Sequence, residues 1–289
     1  MGTDKRQRQK ELGRTRLEEA RKEAAGQARR RRIITLVGLV VLVVGGVALI
    51  AFLSGGDDEG DTADDTAATT TVAESSTTTG DGLQPATLTG PGPGASIEGE
   101  TPCPAADGSA ERTTSFTDPP PMCIDENKTY TATFDTTKGT MVVALDAKSA
   151  PETVNNFVVL SRYKFYDGSP FFRLVTDFAA QFGDPSESPS NAAQFGYTIP
   201  DELPEQGAYQ VGSLAMANTG SPNTGGAQVF FITGEQGVAL PPSYALFGQV
   251  TEGLESLAAI NAVPSVNTGT NDGAPTEQVT INSITITET

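Results

Sequence analysis

Hydrophobic and polar positions divide the chain into distinct regimes. Residues 33–53 are apolar apart from Thr35 and three glycines. Residues 54–100 are Gly, Asp, Thr, Ser, Ala and Pro with no aromatic residue, too poor in apolar surface to order themselves. From Lys128 onward the pattern becomes periodic. Tyr130–Asp135 and Thr140–Asp146 alternate as strands do, with Lys138-Gly139 between them, which predicts a hairpin. Ala150-Pro151-Glu152 opens a helix with Pro in its first turn. Its inward stripe is Val154, Phe157, Val158 and Ser161, and it ends near Tyr163. Asp167-Gly168 is a tight-turn signal, and two strands follow before Pro185. Residues 186–210 carry Pro189, Pro200 and Pro204 and read as loop. Val211–Asn218, Gln228–Thr233 and Ala245–Val250 read as strands. Glu252–Ala262 reads as a second helix, with Leu254, Leu257, Ala258 and Ile260 apolar. Val279–Ile286 alternates as a last strand. Many strands and two helices predict a mainly β fold, a closed barrel with helices over its ends.

The flanking regimes set the expected organisation. Residues 1–32 hold 12 Lys or Arg against 5 acids and are polar all round, as a basic cytoplasmic tail would be. As a helix, residues 33–53 would span about 31 Å, matching a hydrocarbon core of roughly 30 Å. Arg29 to Arg32 abut this run and acids follow it, which predicts an uncleaved signal anchor with a cytoplasmic N-terminus. A cleaved signal peptide fits less well: the basic and apolar regions are too long and no small-x-small site follows. Residues 54–100 are expected as a disordered linker, 101–127 as a Pro-rich lead-in, and 128–289 as the folded domain. These readings place the domain outside the cytoplasm on a single-pass anchor.

Composition then removes most chemistries. The chain has no histidine, which excludes His-dependent triads, His-ligated zinc and imidazole acid–base work. Two cysteines cannot build a Cys-only zinc site, and no metal or organic cofactor is expected. Outside residues 1–32 the balance is 7 Lys or Arg against 31 acids, which argues against a nucleic-acid partner. In an extracytoplasmic segment, Cys103 and Cys123 read as a disulfide, the alternative being two unpaired thiols. Closing that loop would stabilise by roughly 3 kcal/mol in the chain-entropy model.

One cation stands out. After Arg173 there is no further Lys or Arg, yet a dozen acids follow. Strict alternation puts Arg173 on one face with Phe171 and Val175. Local pattern leaves two readings open: a snorkelling Arg paired with Asp177 or another acid, or a functional guanidinium.

Three spaced segments carry a family resemblance. Residues 166–185, Y-D-G-S-P-F-F-R-L-V-T-D-F-A-A-Q-F-G-D-P, resemble the cyclophilin signature. So do M-A-N-T-G-S-P-N-T-G-G-A-Q-V-F-F-I at 216–232 and Y-A-L-F-G-Q-V at 244–250, in the family's order. The helix pattern A-P-E-T-V-N-N-F fits as well. The resemblance covers roughly residues 128–288 and implies an eight-stranded antiparallel barrel capped by two α-helices. It implies a peptidyl-prolyl cis-trans isomerase, with proline-containing peptides and exported proteins as partners and a monomeric catalytic domain. The anchored layout looks like extracytoplasmic actinobacterial members.

By position, the resemblance makes Arg173 the catalytic arginine and Gln181 the glutamine that orients it. Phe178 and Phe230 would line a proline pocket with Leu240 as its aliphatic wall. Ala217 and Asn218 would contact substrate, with Gln228 beside the same groove. The departures are Phe172 for a histidine, Ala179 for a pocket methionine, and Tyr244 where many members have histidine. Ala239 aligns with a tryptophan common in eukaryotic members, and Ser221 lengthens the Asn–Gln connection by one residue. These departures motivate the alternative of a catalytically weak prolyl-peptide binding or scaffold module.

Overall fold

The computed structural model describes residues 83–186, 188–190, 195–266 and 272–289. The basic tail, the expected span at 33–53 and residues 54–82 of the expected linker lie outside the described residues. Among the described residues, no helix is long and apolar enough to cross a membrane.

Two short strands, β1 (Ala95–Ile97) and β2 (Thr113–Phe116), pair in parallel as a separate ribbon. All other described strands form one antiparallel sheet. Its members are β3 (Tyr130–Thr136), β4 (Gly139–Leu145), β5 (Arg173–Val175), β6 (Ala179–Phe182) and β7 (Ser213–Met216). The rest are β8 (Val229–Ile232), β9 (Leu246–Glu252), β10 (Asp272–Gly273) and β11 (Ile281–Glu288). The order is β10-β5-β6-β8-β7-β9-β4-β3-β11. The sheet curls until its ends meet. Phe171 N–H donates to Val279 O at 2.9 Å, and Ile281 N–H to Ser169 O at 2.9 Å. Pro170, which bridges Thr280 there, has no N–H to extend the ladder. The expected eight strands are thus nine, the extra one being the two-residue β10, and closure is a short bridge rather than a full strand pair.

The helices are α1 (Pro151–Arg162), α2 (Glu235–Val238) and α3 (Leu254–Asn261). The four-residue α2 has no counterpart in the sequence pattern, being shorter than one period of an apolar stripe can report. The β3–β4 hairpin turns where expected. Thr136 Oγ1 donates to Gly139 O at 2.7 Å and accepts from Lys138 N–H at 3.1 Å. Alternate residues Tyr130, Ala132 and Phe134 of β3 point into the barrel. There Phe134 meets Phe157 of α1 and Phe231 of β8, with ring centroids 6.1 and 5.3 Å apart.

α1 is buried on nearly every side from Thr153 to Arg162, not only along the expected stripe. The reason is the lead-in. Asn155 Nδ2 donates to Pro121 O at 2.9 Å and Asn155 Oδ1 accepts from Cys123 N–H at 2.7 Å. Tyr163 donates its hydroxyl to Pro102 O at 2.9 Å. Cys103 and Cys123 form the expected disulfide, with Cα atoms 5.4 Å apart. Phe116 of β2 is 2% exposed and belongs to the main core. The ordered region also starts earlier than expected. Residues 83–100, expected as part of the linker, carry β1. Thr89 exchanges hydrogen bonds of 2.8 and 2.9 Å with the Gln278 side chain. Composition alone could not show this, because the order is imposed by contacts with β2 and with the segment ahead of β11.

Candidate functional site

The strands β5, β6, β8 and β7 lie side by side, and their register sets a row across the sheet. Arg173 faces Gln181, Gln181 faces Phe230, and Phe230 faces Ala215. One residue along, Leu174, Ala180, Phe231 and Leu214 form the parallel row that fills the barrel. Since successive side chains alternate faces, the first row looks outward. It does not look onto bare solvent. A second apolar cluster sits there, made of Ala179, Tyr209, Ala215, Phe230 and Ile232. Phe178, Ala217, Val238, Leu240, Tyr244 and Leu246 pack against it.

Phe171 departs from the alternation. It is fully buried in the barrel against Phe182, not beside Arg173. Phe172 N–H reaches Gln181 O at 3.1 Å while Arg173 pairs with the same Gln181. Two residues opposing one is the pattern of a β-bulge, which resets the face of what precedes it. Phe172 is itself 4% exposed.

Arg173 is held from two directions. Asp272 accepts from its Nε and Nη2, each at 2.8 Å, in the fork geometry of a bidentate pair. Gln181 Oε1 accepts from Nη1 at 3.2 Å, and Gln181 Nε2 donates to Gln228 Oε1 at 3.0 Å. Three of the five guanidinium N–H donors are thereby engaged and the remaining two can face a ligand. The Arg173 side chain is 31% exposed, so it is neither sealed in the core nor loose in water. Asp177, the acid nearest in sequence, does not pair with it. Instead Asp177 Oδ1 accepts from Glu235 N–H at 3.0 Å, starting α2. A side chain at Gly234 would collide with that carboxylate, so a glycine there lets α2 approach. This docking brings Val238 and Leu240 to the outer cluster.

Of the expected site residues, Arg173, Gln181 and Phe230 form the row, and Phe178, Ala217, Leu240 and Tyr244 pack against the cluster beside it. Phe230 is 5% exposed and meets Tyr244 edge to face, centroids 5.2 Å apart at 88°. Gln181, Ala217, Asn218 and Gln228 line one hollow of about 530 Å³ beside it. Asn218 braces two loops: its Nδ2 donates to Ser243 O at 2.9 Å and its Oδ1 accepts from Gly220 N–H at 3.0 Å. Among the described residues no group of three or more His, Cys, Asp or Glu is placed to hold a metal.

Sequence reasoning missed two supporting residues. Tyr209 is 1% exposed; its hydroxyl donates to Tyr244 O at 2.7 Å and accepts from Tyr244 N–H at 3.1 Å. It thus anchors the Tyr244 backbone, and burial pushes its own hydroxyl pKa above the ordinary range. Asp272 is the other, 99 residues from Arg173. Its only advance signal was the scarcity of cations: a lone Arg amid a dozen later acids must attract one of them.

Comparison with known proteins matches this sequence to a family. The model for "Cyclophilin type peptidyl-prolyl cis-trans isomerase/CLD" matches residues 131–286. Human peptidyl-prolyl cis-trans isomerase-like 1 is 37% identical over 149 residues, covering 51% of this chain and 86% of that protein. Peptidyl-prolyl cis-trans isomerase A of Mycobacterium tuberculosis is 38% identical over 174 residues, covering 55% of this chain and 92% of that protein. A crystal structure of a Cryptosporidium parvum cyclophilin-type isomerase aligns with a TM-score of 0.48 and 26% identity, over 55% of this chain and 98% of that one.

Proposed function

Because this chain belongs to the cyclophilin-type peptidyl-prolyl cis-trans isomerase family, we propose that it isomerises X–Pro bonds of exported polypeptides, with Arg173 stabilising the twisted amide. The bond resists rotation by ~18–20 kcal/mol because its C–N link is partly double. Twisting localises the nitrogen lone pair, and an N–H aimed at that nitrogen favours the twisted state over the planar one. No bond breaks and no proton moves, so a site without histidine suffices. A ~10⁵-fold acceleration needs roughly 7 kcal/mol, within reach of a positioned cation beside a dry pocket.

The observation that carries this reading is the row itself. Asp272 and Gln181 grip Arg173 from opposite ends, and the next position in the row is Phe230. The guanidinium therefore stands beside an apolar cluster in which Phe178, Leu240 and Tyr244 pack around Phe230 and its neighbours. A prolyl ring seated on Phe230 would lie within one strand spacing of Gln181, about 5 Å.

Exchange NMR on an X–Pro peptide tests it, with wild type and Arg173→Ala side by side. Fast exchange lost in the variant supports the mechanism. Fast exchange retained keeps the enzyme and discards the arginine's role. Shifted peptide resonances without exchange, in the wild type, identify a prolyl-binding module instead.

The location is part of the same proposal. The Cys103–Cys123 disulfide suits an oxidising compartment, and the apolar run at 33–53 suits an anchor. An alkaline phosphatase fused after Thr289 should be active in cells, since it folds only outside the cytoplasm. An inactive fusion would overturn the extracytoplasmic placement.

A further inference from the structure

The lead-in does more than cover α1. Pro93, Thr114 and Ser115 form one wall of a cleft of about 470 Å³; Phe165, Phe195 and Gln228 belong to the other. That volume is within the ~300–1,000 Å³ typical of clefts that hold small ligands. The first three residues lie outside the family match at 131–286, so the shared fold supplies one wall and the floor of this cleft but not the wall that closes it. We infer that residues 83–127, the lead-in together with the ordered segment before it, build an added subsite, which takes an apolar side chain of the prolyl substrate some residues away from the proline. The inference rests on the isomerase reading above.

Three observations carry it. The cleft adjoins the candidate groove: Phe195, Ala227 and Gln228 line both it and the 530 Å³ hollow. Gln228 also accepts from Gln181 in the hydrogen-bonded relay that starts at Arg173. The occupant is therefore the rest of a chain already lying in the groove. Two strand spacings separate Arg173 from Phe230 and two residues separate Phe230 from Gln228, so the position of Gln228 is about 12 Å from that of Arg173. At ~3.3 Å per residue of extended peptide, the cleft meets a residue three or more positions from the proline.

The walls are apolar and fixed. Phe165 and Phe195 meet edge to face with centroids 5.5 Å apart, and Phe116 of β2 packs behind both. The lead-in wall is pinned where only glycine fits: a side chain at Gly90 would strike Ser186 O, and one at Gly196 would strike Phe116 O. The one carboxylate among the described residues lining the cleft does not call for a cation. Asp184 is 3% exposed and its two oxygens accept from Ser186 N–H at 3.0 Å and Ser190 N–H at 2.7 Å. An uncharged apolar group is the chemistry left to recognise.

The test uses the full chain and three peptides sharing one X–Pro core. One is a blocked tetrapeptide. Two are longer, with Phe or Ser placed three to five residues from the proline. Burying a Phe side chain predicts at least ~10-fold tighter binding of the Phe peptide than of the Ser peptide, measured by titration. Ser115 is exposed at the rim, so Ser115→Trp can overhang the cleft without disturbing the core. A thermal melt checks that this variant folds, and it should reduce the Phe-to-Ser preference to about one. Equal affinities in the wild type, or a preference that survives in folded Ser115→Trp, overturn the subsite. If the tetrapeptide is bound but not turned over while the Phe preference persists, the isomerase reading fails and the subsite stands.

Discussion

The two faces of the β5-β6-β8-β7 ribbon differ in everything except their backbone. Inward, Leu174, Ala180, Phe231 and Leu214 are all at most 1% exposed and read as one apolar row. Outward, Arg173, Gln181, Phe230 and Ala215 place a cation, an amide, an aromatic and a small residue in sequence across the same four strands. The inner row works through volume: interiors pack at crystal-like density and any deletion leaves a void. The outer row works through chemistry: its polar members are held by specific partners, and its apolar members form a seat. A pleated strand serves both ends because its side chains alternate. The bulge at Phe172-Arg173 hands Phe171 to the inner face while leaving Arg173 outside.

Substitutions on each face should therefore fail in different currencies. The largest effect is expected from Phe231→Ala on the inner row, a loss of about 3–5 kcal/mol of unfolding free energy. Denaturant titration measures it, and turnover per folded molecule should stay near wild type. Arg173→Ala should do the reverse. By analogy with removal of one oxyanion donor, kcat/KM should fall about 10²- to 10³-fold while the melting temperature barely changes. If both variants lowered stability and activity in parallel, the division between faces would be wrong.

Asp272→Ala sharpens the comparison within the outer row. Asp272 is 38% exposed, so its pair with Arg173 adds little stability. Its contribution is the fork that orients the guanidinium, and losing it should lower kcat by about 10-fold with KM nearly unchanged. Asp272→Asn, which keeps one acceptor, should recover part of that loss. Unchanged kcat in both variants would reduce Asp272 to a bystander.

The smallest effect belongs to a region remote from the row. Arg162, 6% exposed, donates to Glu288 at 2.7 Å, and Lys128 reaches the same carboxylate at 3.1 Å. The Arg162 hydrogen bond first, and the Lys128 one next, hold the Glu288 carboxyl below its ordinary value of 4.5. A depressed carboxylate pKa means the unfolded chain binds the proton more readily. The stabilisation is then complete above about 4.5 and is lost as pH falls through the folded value. Glu288→Gln should remove about 1 kcal/mol of this acid-sensitive stability, seen in urea titrations from neutral pH to about pH 3. An unchanged acid slope would show that the pair is not coupled to folding.

Much of this architecture was legible in linear order. The strands at 130–136, 139–145 and 281–288 and the helices at 151–162 and 254–261 follow apolar periodicity and terminal Pro or Gly signals, which are local properties. Arg173 and Gln181 were picked out by the resemblance of residues 166–185 to the cyclophilin signature, and their strands bring the two side by side. The absence of histidine removed His-dependent triads, His-ligated zinc and imidazole acid–base work from the possibilities.

Only the tertiary structure decided the rest. Asp272 meets Arg173 because β10 adds to the free edge of β5, a pairing no local pattern encodes. Glu202 accepts from the N–H groups of Glu152 and Thr153, at 3.0 and 2.8 Å, from about fifty positions away. The polar, Pro-rich lead-in looks like tether by composition. It is ordered because a disulfide, a small parallel ribbon and Phe116 tie it to surfaces that exist only once the barrel has closed. Periodicity reports which side of a strand is apolar; what covers the other side depends on segments far off in sequence, and those are brought there by closure of the sheet.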